Sequence, residues 1–319
     1  MSRKPLSSLT VVVPVYNEQA GLASFHESLI RRIDSLGYFK FDVIYCNDGS
    51  TDGSLERLKS LTEHDKRVQI LSLTRNFGKE VATTAGINLA KGDGIITIDA
   101  DGQHPVELIP ELINEWHSGA KVVIGLRTDN STASLIKRSG STMFYRLFNR
   151  LTGLPIVAGG TDFRLIDKVV QADFARLTER NRITRGLIDW LGYQRVYVPF
   201  SAKPRLHDDS GYSIKKLFKL AIDSVISMSS SPLYVTAYIG AIVLPLSLLL
   251  GLVMAINGLF GDPLGWHATG GAYIIVLMLS LIGVVLMSQG IIGLYLSHIH
   301  SESLNRPLYV IDTEASVIK

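Results

Sequence analysis

Residues Ile95 to Pro105 read IITIDADGQHP, and this stretch indicates which fold the rest of the chain is expected to adopt. It begins with β-branched residues after a glycine, a pattern typical of a buried strand in a parallel sheet. It ends in Asp99, Asp101 and His104. Because burying an unpaired carboxylate is very unfavourable, two carboxylates this close to the end of a buried strand require a cation.

The cation that suits these carboxylates is Mg²⁺ or Mn²⁺. Both are hard ions that take few protein oxygens and complete their shell with water and substrate phosphates. The pattern therefore predicts a metal held by Asp99 and Asp101, and a nucleotide diphosphate as part of the substrate. The simpler interpretation of a lone Asp-x-Asp pattern is a strand-end turn whose aspartate caps the helix that begins near Val106. The rest of the chain favours the metal site.

Strands and helices alternate on both sides of this stretch. Predicted strands span Leu9–Val15, Phe41–Cys46, Val68–Leu73, Gly94–Ile98 and Lys121–Gly125, and predicted helices span Gly21–Leu36, Ser54–Leu61, Glu80–Ala90 and Val106–His117. This alternation predicts an α/β fold with a mostly parallel sheet that is covered by helices on both faces. A further short strand is expected after Asp162.

Polar residues follow the predicted strands, and in α/β proteins ligands bind where such strand ends meet. Arg75 and Lys79 are suited to offset the charge of a diphosphate, and Asp48 to hydrogen-bond a base or a ribose. Arg127 follows the strand that ends at Gly125 and is another candidate for donor binding. For each acid taken alone, a helix cap is the alternative.

The composition of the 319 residues narrows the function classes. Hydrophobic residues make up 46% of the chain and charged residues only 19%, which favours membrane association. The net charge of +3 is small and the three tryptophans are not interleaved with basic residues, so nucleic-acid binding is not expected. The single cysteine, Cys46, excludes an intrachain disulfide and suits a reducing compartment. No signal-peptide pattern precedes the first strand, so we expect the globular part in the cytoplasm.

Two apolar runs near the C-terminus, Leu233–Ile256 and Tyr273–Leu296, predict transmembrane helices. Neither contains an ionisable residue other than tyrosine, and each would span about 36 Å as a helix. Before them, Ser213–Met228 places lysines on one helical face and apolar residues on the other, as in helices that lie in a membrane interface. Lysines precede the first run and Arg306 follows the second, whereas the linker between them has neither Lys nor Arg. This asymmetry predicts cytosolic termini.

The predicted organisation therefore has four parts: a cytosolic catalytic domain (1–212), an amphipathic juxtamembrane helix (213–231), two transmembrane helices (232–298) and a cytosolic tail (299–319). The expected location is the cytoplasmic (inner) membrane, which the chain crosses more than once. Small residues in the second run, among them Gly290 and Gly293, would allow close helix packing, so a homo-oligomer is left open.

Several motifs, in order, resemble those of the family 2 glycosyltransferases of the GT-A fold. The resemblance is strongest to the polyprenyl-phosphate glycosyltransferases, which include dolichyl-phosphate mannose synthase and bacterial GtrB-like enzymes. It runs from about Leu9 to Leu296 and rests on VVPVYNE, NDGSTD, LTRNFGKE, IDADGQHP, GTDFRL and the paired apolar runs. It implies a UDP- or GDP-hexose donor, a polyprenyl phosphate acceptor in the lipid bilayer, and Mg²⁺ or Mn²⁺.

The resemblance also implies roles for individual residues. Asp162 would approach the acceptor and the anomeric carbon, and Asp162 and Asp101 are the implied catalytic residues. Arg205 falls in a basic segment that meets phosphates near the membrane, although Gly211 stands where relatives carry a lysine. The implied nucleoside contacts are Pro14, Tyr16, Glu18 and Asp48, and the implied metal and diphosphate contacts are Asp99, Asp101 and Gln103.

The expected reaction is inverting transfer of a hexose onto polyprenyl (undecaprenyl or dolichyl) phosphate at the cytoplasmic face of the membrane. The resemblance of LTRNFGKE and of the apolar runs to GtrB-like enzymes favours UDP-glucose as the donor. Mannosyl transfer from GDP-mannose is one alternative. A membrane polysaccharide synthase is another, but it would need more spans and a QxxRW-like signature. A non-catalytic scaffold is the third, and the intact Asp99, Asp101 and Asp162 argue against it.

Overall fold

A seven-stranded sheet forms the centre of the fold. In this computed structural model, residues 7–128, 159–180, 182–201 and 270–318 are described, with isolated positions between 249 and 260. The strands are β1 (Ser8–Val15), β2 (Lys40–Asn47), β3 (Val68–Ser72), β4 (Gly94–Thr97), β5 (Val122–Arg127), β6 (Gly160–Asp167) and β7 (Arg195–Phe200). Their order in the sheet is β3-β2-β1-β4-β6-β5-β7. The five strands predicted before Asp162 are all confirmed.

The sheet is mostly parallel, as predicted, but β6 runs antiparallel to both of its neighbours, β4 and β5. The expected position of Asp162 before a short strand was wrong, because Asp162 is the third residue of β6. Strand β7, which lies parallel to β5, was not predicted. Local sequence patterns do not distinguish these cases, because a strand shows the same two-residue period in either direction.

The helices pack on both faces of the sheet. They are α1 (Leu22–Asp34), α2 (Ser54–His64), α3 (Lys79–Leu89), α4 (Ile109–His117), α5 (Lys168–Phe174) and α6 (Thr184–Trp190), and a single 3₁₀ turn (Val106–Leu108) precedes α4. Along α1, Leu22, Phe25, Leu29 and Ile33 recur at helical spacing and are buried. This stripe faces the sheet and explains why the segment forms a surface helix.

Two hydrophobic clusters, one on each face, hold the sheet between these helices. Val11 and Val13 of β1 belong to one cluster and Val12 to the other, because successive strand residues point to opposite faces. Cys46 is fully buried in the second cluster, and this burial raises the pKa of its thiol. The predicted two-sided α/β architecture is therefore confirmed.

The C-terminal tail runs along β3, which is the last strand at its end of the described sheet. The backbones of Val317 and Ile70 exchange two hydrogen bonds, of 2.8 and 2.9 Å. The Asp312 amide donates to the Ser72 carbonyl at 2.8 Å. These bonds occupy backbone groups on the outer side of β3.

The chain divides into two compact units. The first comprises Met1–Asn149, Leu154–Gly211 and Arg306–Lys319, and the second comprises Arg150–Gly153 and Tyr212–Asn305.

The described part of the second unit is mainly one 34-residue helix, α7 (Gly270–Ser303). Apolar side chains of α7, among them Ile274, Ile275 and Met278, are exposed. Within the described residues, no helix meets the combined length and hydropathy expected of a membrane span. The predicted juxtamembrane helix and nearly all of the first predicted span lie outside the described residues, as does Arg205. The predicted domain boundaries therefore stay predictions.

Asp167 links three elements of the first unit. It caps α5 by accepting a hydrogen bond from the Val169 amide at 3.0 Å, and it also accepts from Trp116 Nε1 at 2.9 Å and from Lys121 Nζ at 3.1 Å. We expect Asp167→Ala to lower the free energy of unfolding by about 1–2 kcal/mol, because it removes a cap and two further hydrogen bonds from partly buried donors. Urea unfolding followed by tryptophan fluorescence would measure this loss.

Asp167 should also make the free energy of unfolding depend on pH. Burial alone would raise the pKa of Asp167, but the three hydrogen bonds that its carboxylate accepts and the charge of Lys121 outweigh burial and lower the pKa. Its contribution is therefore complete above the unfolded pKa of about 3.9 and is lost as pH falls through the folded pKa. The difference in stability between wild type and Asp167→Asn should shrink below about pH 4. The control Glu27→Ala, in an exposed i,i+4 pair, should change stability by less than about 0.5 kcal/mol. Equal losses in both variants would contradict the assignment.

Candidate active site

The carboxyl ends of the parallel strands and the start of β6 meet at one edge of the sheet. Thr97 of β4 pairs with Arg164 of β6 in antiparallel register. Asp99 lies two residues beyond the end of β4, and Asp162 lies two residues before Arg164 on β6, so a continuation of this register places Asp99 opposite Asp162. The two acids that the sequence assigned to the metal and to the acceptor are thus brought face to face.

Lys79, the first residue of α3, lies between these two acids. Its Nζ is 2.7 Å from Asp99 Oδ2 and 3.1 Å from Asp162 Oδ2. Burial alone would lower the pKa of Lys79, but the two carboxylates raise it above its ordinary value. The sequence predicted a lysine that offsets the charge of a diphosphate, and the structure adds that its ammonium group bridges the two carboxylates.

Asp162 is ionised at neutral pH despite its surroundings. Burial alone would raise the pKa of Asp162, but the positive charges of Lys79 and Arg164 outweigh burial and lower the pKa. Its backbone carbonyl accepts a hydrogen bond of 2.5 Å from Thr97 Oγ1, which fixes the start of β6 against β4. The carboxylate is therefore held by both charge and backbone geometry.

A group of buried charged residues lies next to Asp162 in the fold. Arg164 is 3% exposed, and its Nη2 donates to the Thr161 carbonyl at 3.0 Å. Asp189 Oδ1 lies 3.8 Å from Arg164 Nη1 and 3.5 Å from Arg195 Nη1. Burial lowers the pKa of Arg164 and raises the pKa of Asp189. The sequence interpretation assigned no role to these residues.

The loop after β4 is ordered by its own side chains. The Asp99 amide donates to His104 Nδ1 at 3.3 Å, and the Gln103 amide donates to Asp101 Oδ1 at 3.0 Å. The His104 ring stacks on Phe163 with centroids 5.4 Å apart. Burial lowers the pKa of His104, and the nearby Asp99 and Asp101 only partly offset this, so the neutral ring accepts the Asp99 hydrogen bond.

The donor set suits a metal that arrives with a substrate. Within the described residues, no group of three or more His, Cys, Asp and Glu side chains is placed to hold a metal ion. Asp99 and Asp101, which are separated by one residue, nevertheless supply hard carboxylate oxygens from one loop. Mg²⁺ and Mn²⁺ commonly use one or two carboxylates and complete their shell with water and phosphate oxygens. The residues therefore fit a divalent ion bound together with a diphosphate.

A cavity of about 190 Å³ opens beside the two acids. Four of the sequence-predicted candidates line it, namely Asp99, Gln103, Arg127 and Asp162. The other lining residues are His104, Gly160, Thr161, Arg185 and Phe200. Arg127 and Phe200 are paired at the ends of β5 and β7, so these strands extend the same edge of the sheet. The cavity therefore joins Asp99, one of the two metal candidates, to the acceptor candidate Asp162, whereas Asp101 is not among its described lining residues.

Asp48, predicted to contact the nucleoside, holds a loop of the protein. It is 2% exposed, and its two carboxylate oxygens accept from the amides of Phe77 and Gly78 at 2.8 and 2.9 Å. Burial raises the pKa of Asp48, and the two amide hydrogen bonds oppose this. Gly49 has a φ of 64°, and a Cβ there would lie 2.4 Å from the carbonyl carbon of Arg75. Asp48 and Gly49 thus fix the loop that leads into Lys79, while the nucleoside role of Asp48 stays a prediction.

The remaining nucleoside candidates lie on neighbouring loops of this edge. Tyr16 is 44% exposed. The backbone before Glu18 turns through Asn17, which has a φ of 56° and accepts from the Thr51 amide at 2.8 Å. The guanidinium of Arg75 lies over the Phe77 ring, 4.1 Å from its centroid. The described lining residues of the cavity do not include Pro14, Tyr16, Glu18 or Arg75. Arg205 lies outside the described residues.

Glu80, which the sequence interpretation missed, connects the site to α6. Its Oε2 accepts from the Thr184 amide at 2.8 Å. Burial and the negative charge of Asp162 raise the pKa of Glu80. The available signal was its position directly after Lys79 in LTRNFGKE, but no local pattern connects it with a residue 104 positions away.

Comparison with known proteins gives consistent matches. The family model described as glycosyl transferase family 2 matches residues 10–171. A bactoprenol glucosyl transferase of Shigella phage SfV is 37% identical over 307 residues, which cover 96% of this chain and 98% of that protein. The uncharacterized glycosyltransferase YkcC of Bacillus subtilis (strain 168) is 36% identical over 302 residues, with 95% and 92% covered. The crystal structure of a mycobacterial protein is similar in fold, with 16% identity, coverage of 70% and 74%, and a TM-score of 0.51.

Proposed function

Because the chain belongs to glycosyl transferase family 2 and has the GT-A fold of glycosyltransferases, we propose that it transfers a hexose from a nucleotide diphosphate sugar to a polyprenyl phosphate. The transfer inverts the anomeric carbon. The observation that carries the proposal is that Asp99, on the loop after β4, and Asp162 line one cavity and both pair with Lys79. A donor held by its diphosphate at the first acid would present its sugar to an acceptor at the second.

The donor of this proposal is UDP-glucose, and the acceptor is undecaprenyl phosphate or dolichyl phosphate. The support is the phage relative named bactoprenol glucosyl transferase, which matches almost the whole chain. Mannosyl transfer from GDP-mannose and a membrane polysaccharide synthase are the alternatives that a donor panel would separate.

The chain's own residues supply positioning and charge. An acceptor phosphate is already largely ionised at neutral pH, since the second pKa of a phosphate monoester is about 6. Asp162 therefore orients the acceptor rather than removing a proton from it. Lys79 and Arg127 place positive charge where the departing diphosphate becomes more negative.

Asp99 and Asp101 are the residues that would hold Mg²⁺ or Mn²⁺. When bound there, such an ion supplies positive charge that stabilises the leaving diphosphate. Lys79 Nζ lies 2.7 Å from Asp99 Oδ2, so Lys79 offsets part of the negative charge of that carboxylate.

Membrane attachment is part of the same proposal. The acceptor is a lipid, and the two apolar runs would anchor the catalytic unit at the cytoplasmic face of the inner membrane, with both termini cytosolic. The exposed apolar side chains of the 34-residue α7 support this, because water is a poor environment for such a surface. A protease added to sealed inverted vesicles should then cleave the catalytic unit.

The test of the function is transfer of radiolabelled sugar. The full chain in detergent is incubated with undecaprenyl phosphate and each of a panel of UDP- and GDP-sugars, with Mg²⁺ or Mn²⁺ and with EDTA. We expect label in the lipid fraction from UDP-glucose, abolished by EDTA and restored by excess metal. Label from GDP-mannose alone would show that GDP-mannose is the donor. Label in a polymer rather than in a lipid would show that the chain is a polysaccharide synthase.

A further inference from the structure

We propose that Arg185 binds the acceptor phosphate at the Asp162 end of the cavity and that Glu80 positions Arg185 for this task. The inference rests on the proposed function, since it assigns a residue to the acceptor of that reaction. Neither residue was a candidate from the sequence.

Arg185 is the second residue of α6, lines the cavity together with Asp162, and is half-buried. No hydrogen bond or ion pair within 4.0 Å joins its guanidinium to another described residue. Of the other cations, Lys79 pairs with two carboxylates, and Arg164 is buried 3.8 Å from Asp189 and does not line the cavity. Arg127 lines the cavity as well, but the proposed function assigns it to the donor diphosphate. Within the described part of the cavity wall, Arg185 therefore presents donors that a substrate can use.

The charges around the cavity explain why a phosphate needs this residue. Asp99 and Asp162 both face the space that substrates would enter, and the charge of Lys79 is shared between them. A phosphate that approaches Asp162 is repelled by its carboxylate unless a further cation lies nearby. A guanidinium suits this task, because its planar donors match two phosphate oxygens at once.

The position of Arg185 favours the acceptor phosphate over the donor diphosphate. The donor's metal ligands lie on the loop after β4, whereas Arg185 is on α6, which packs against β6, the strand that carries Asp162. Asp162 is the acid assigned to the acceptor. A phosphate bound by Arg185 would therefore lie on the acceptor side of the cavity.

Glu80 fixes the backbone that carries Arg185. Its carboxylate accepts from the amide of Thr184, the residue before Arg185, and its backbone carbonyl accepts from Thr184 Oγ1 at 3.4 Å. Its neighbour Lys79 bridges the two acids from the same turn of α3. The first turn of α3 thus contacts both acids through Lys79 and holds the backbone next to Arg185 through Glu80.

The test separates the acceptor from the donor by steady-state kinetics on the full chain in detergent. For Arg185→Gln we expect kcat/KM for undecaprenyl phosphate to fall by about 10–100-fold, mainly through KM, which is the usual size for a lost charge-assisted hydrogen bond. The KM for UDP-glucose should stay within about twofold, since the donor side keeps its contacts. The matched control is Arg176→Gln on an 83% exposed side chain, which should behave as wild type.

Glu80 is tested by a pair of variants. Glu80→Gln keeps an oxygen that can accept from Thr184 and should retain the acceptor KM within about threefold, whereas Glu80→Ala should raise it by about 5–30-fold. Thermal unfolding of both variants checks that the fold is intact. A merely structural role for Glu80 would lower the amount of active enzyme, and hence the apparent kcat, without moving the acceptor KM.

Three results would overturn the inference. A wild-type acceptor KM in Arg185→Gln would remove Arg185 from the acceptor site while the proposed function stands. A rise in the donor KM that equals or exceeds the rise in the acceptor KM would assign the bound phosphate to the donor. Failure of the wild-type chain to label any lipid would remove the proposed function, and this inference with it.

Discussion

Asp162→Asn should lower kcat by about 10³-fold and leave the affinity for UDP-glucose within about threefold. The substitution preserves the shape of the side chain but removes the charge that faces the cavity. The start of β6 should keep its position, because the Thr97 hydrogen bond goes to the backbone of residue 162. Single-turnover transfer to undecaprenyl phosphate measures the rate, and calorimetric titration with UDP-glucose measures donor binding.

The control for Asp162 is Asp173→Asn, the same change on α5 and outside the cavity lining. It should retain wild-type turnover. A turnover of Asp162→Asn above about a tenth of the wild-type rate would contradict the proposed site, because the carboxylate would then contribute little to catalysis.

Lys79→Met should lower kcat/KM by about 10²–10³-fold, because two carboxylates then face the cavity without the cation that joins them. Methionine keeps much of the length of the side chain and removes its charge. The structure also predicts a second effect with the opposite sign. Since Lys79 Nζ is 2.7 Å from Asp99 Oδ2, it competes with a metal for that oxygen. Mn²⁺ binding in the absence of donor, followed by electron paramagnetic resonance, should therefore become tighter.

Lys79→Arg is the matched variant, since it keeps the charge and should recover part of the activity. Weaker Mn²⁺ binding in Lys79→Met would show that Lys79 organises the metal site instead of competing for it. Wild-type kinetics in Lys79→Met would remove the bridging lysine from the mechanism.

Much of the first half of the fold follows from local sequence. The strands before Asp162 are β-branched runs bounded by turn residues, and the helices between them bury stripes at helical spacing, so each element is encoded in its own segment. The edge at which Asp48 and Asp99 lie follows from the topology of parallel strands.

The direction of β6 could not be predicted in this way. A strand of eight residues spans about 26 Å, so a parallel β6 would have placed Asp162 near the opposite edge of the sheet. Only its pairing with β4, set by contacts between distant segments, brings Asp162 to Asp99. The GTDFRL motif identified Asp162 as a candidate, but it did not indicate that Asp162 lies opposite Asp99.

Long-range contacts also explain the residues that were missed or given other roles. Glu80 acts on Thr184, far along the chain, and Arg185 reaches the cavity only because α6 is placed there. Asp48 was expected to contact the nucleoside, and nothing in the NDGSTD motif indicates that both of its oxygens accept amides from the loop after β3. Hydrogen bonds between segments that are not neighbours in sequence leave no local signature.

The tail on β3 has a consequence for biosynthesis. An uncovered outer strand can pair with another molecule, and here Ile70 and Ser72 are already bonded to Val317 and Asp312. Because Ser316 lies 244 positions after Ser72 in the chain, the side of β3 that the tail covers stays open during synthesis until the tail itself has been translated. Nascent chains would be most exposed to strand exchange during that interval, and a truncated catalytic fragment without the tail would remain in that aggregation-prone state permanently.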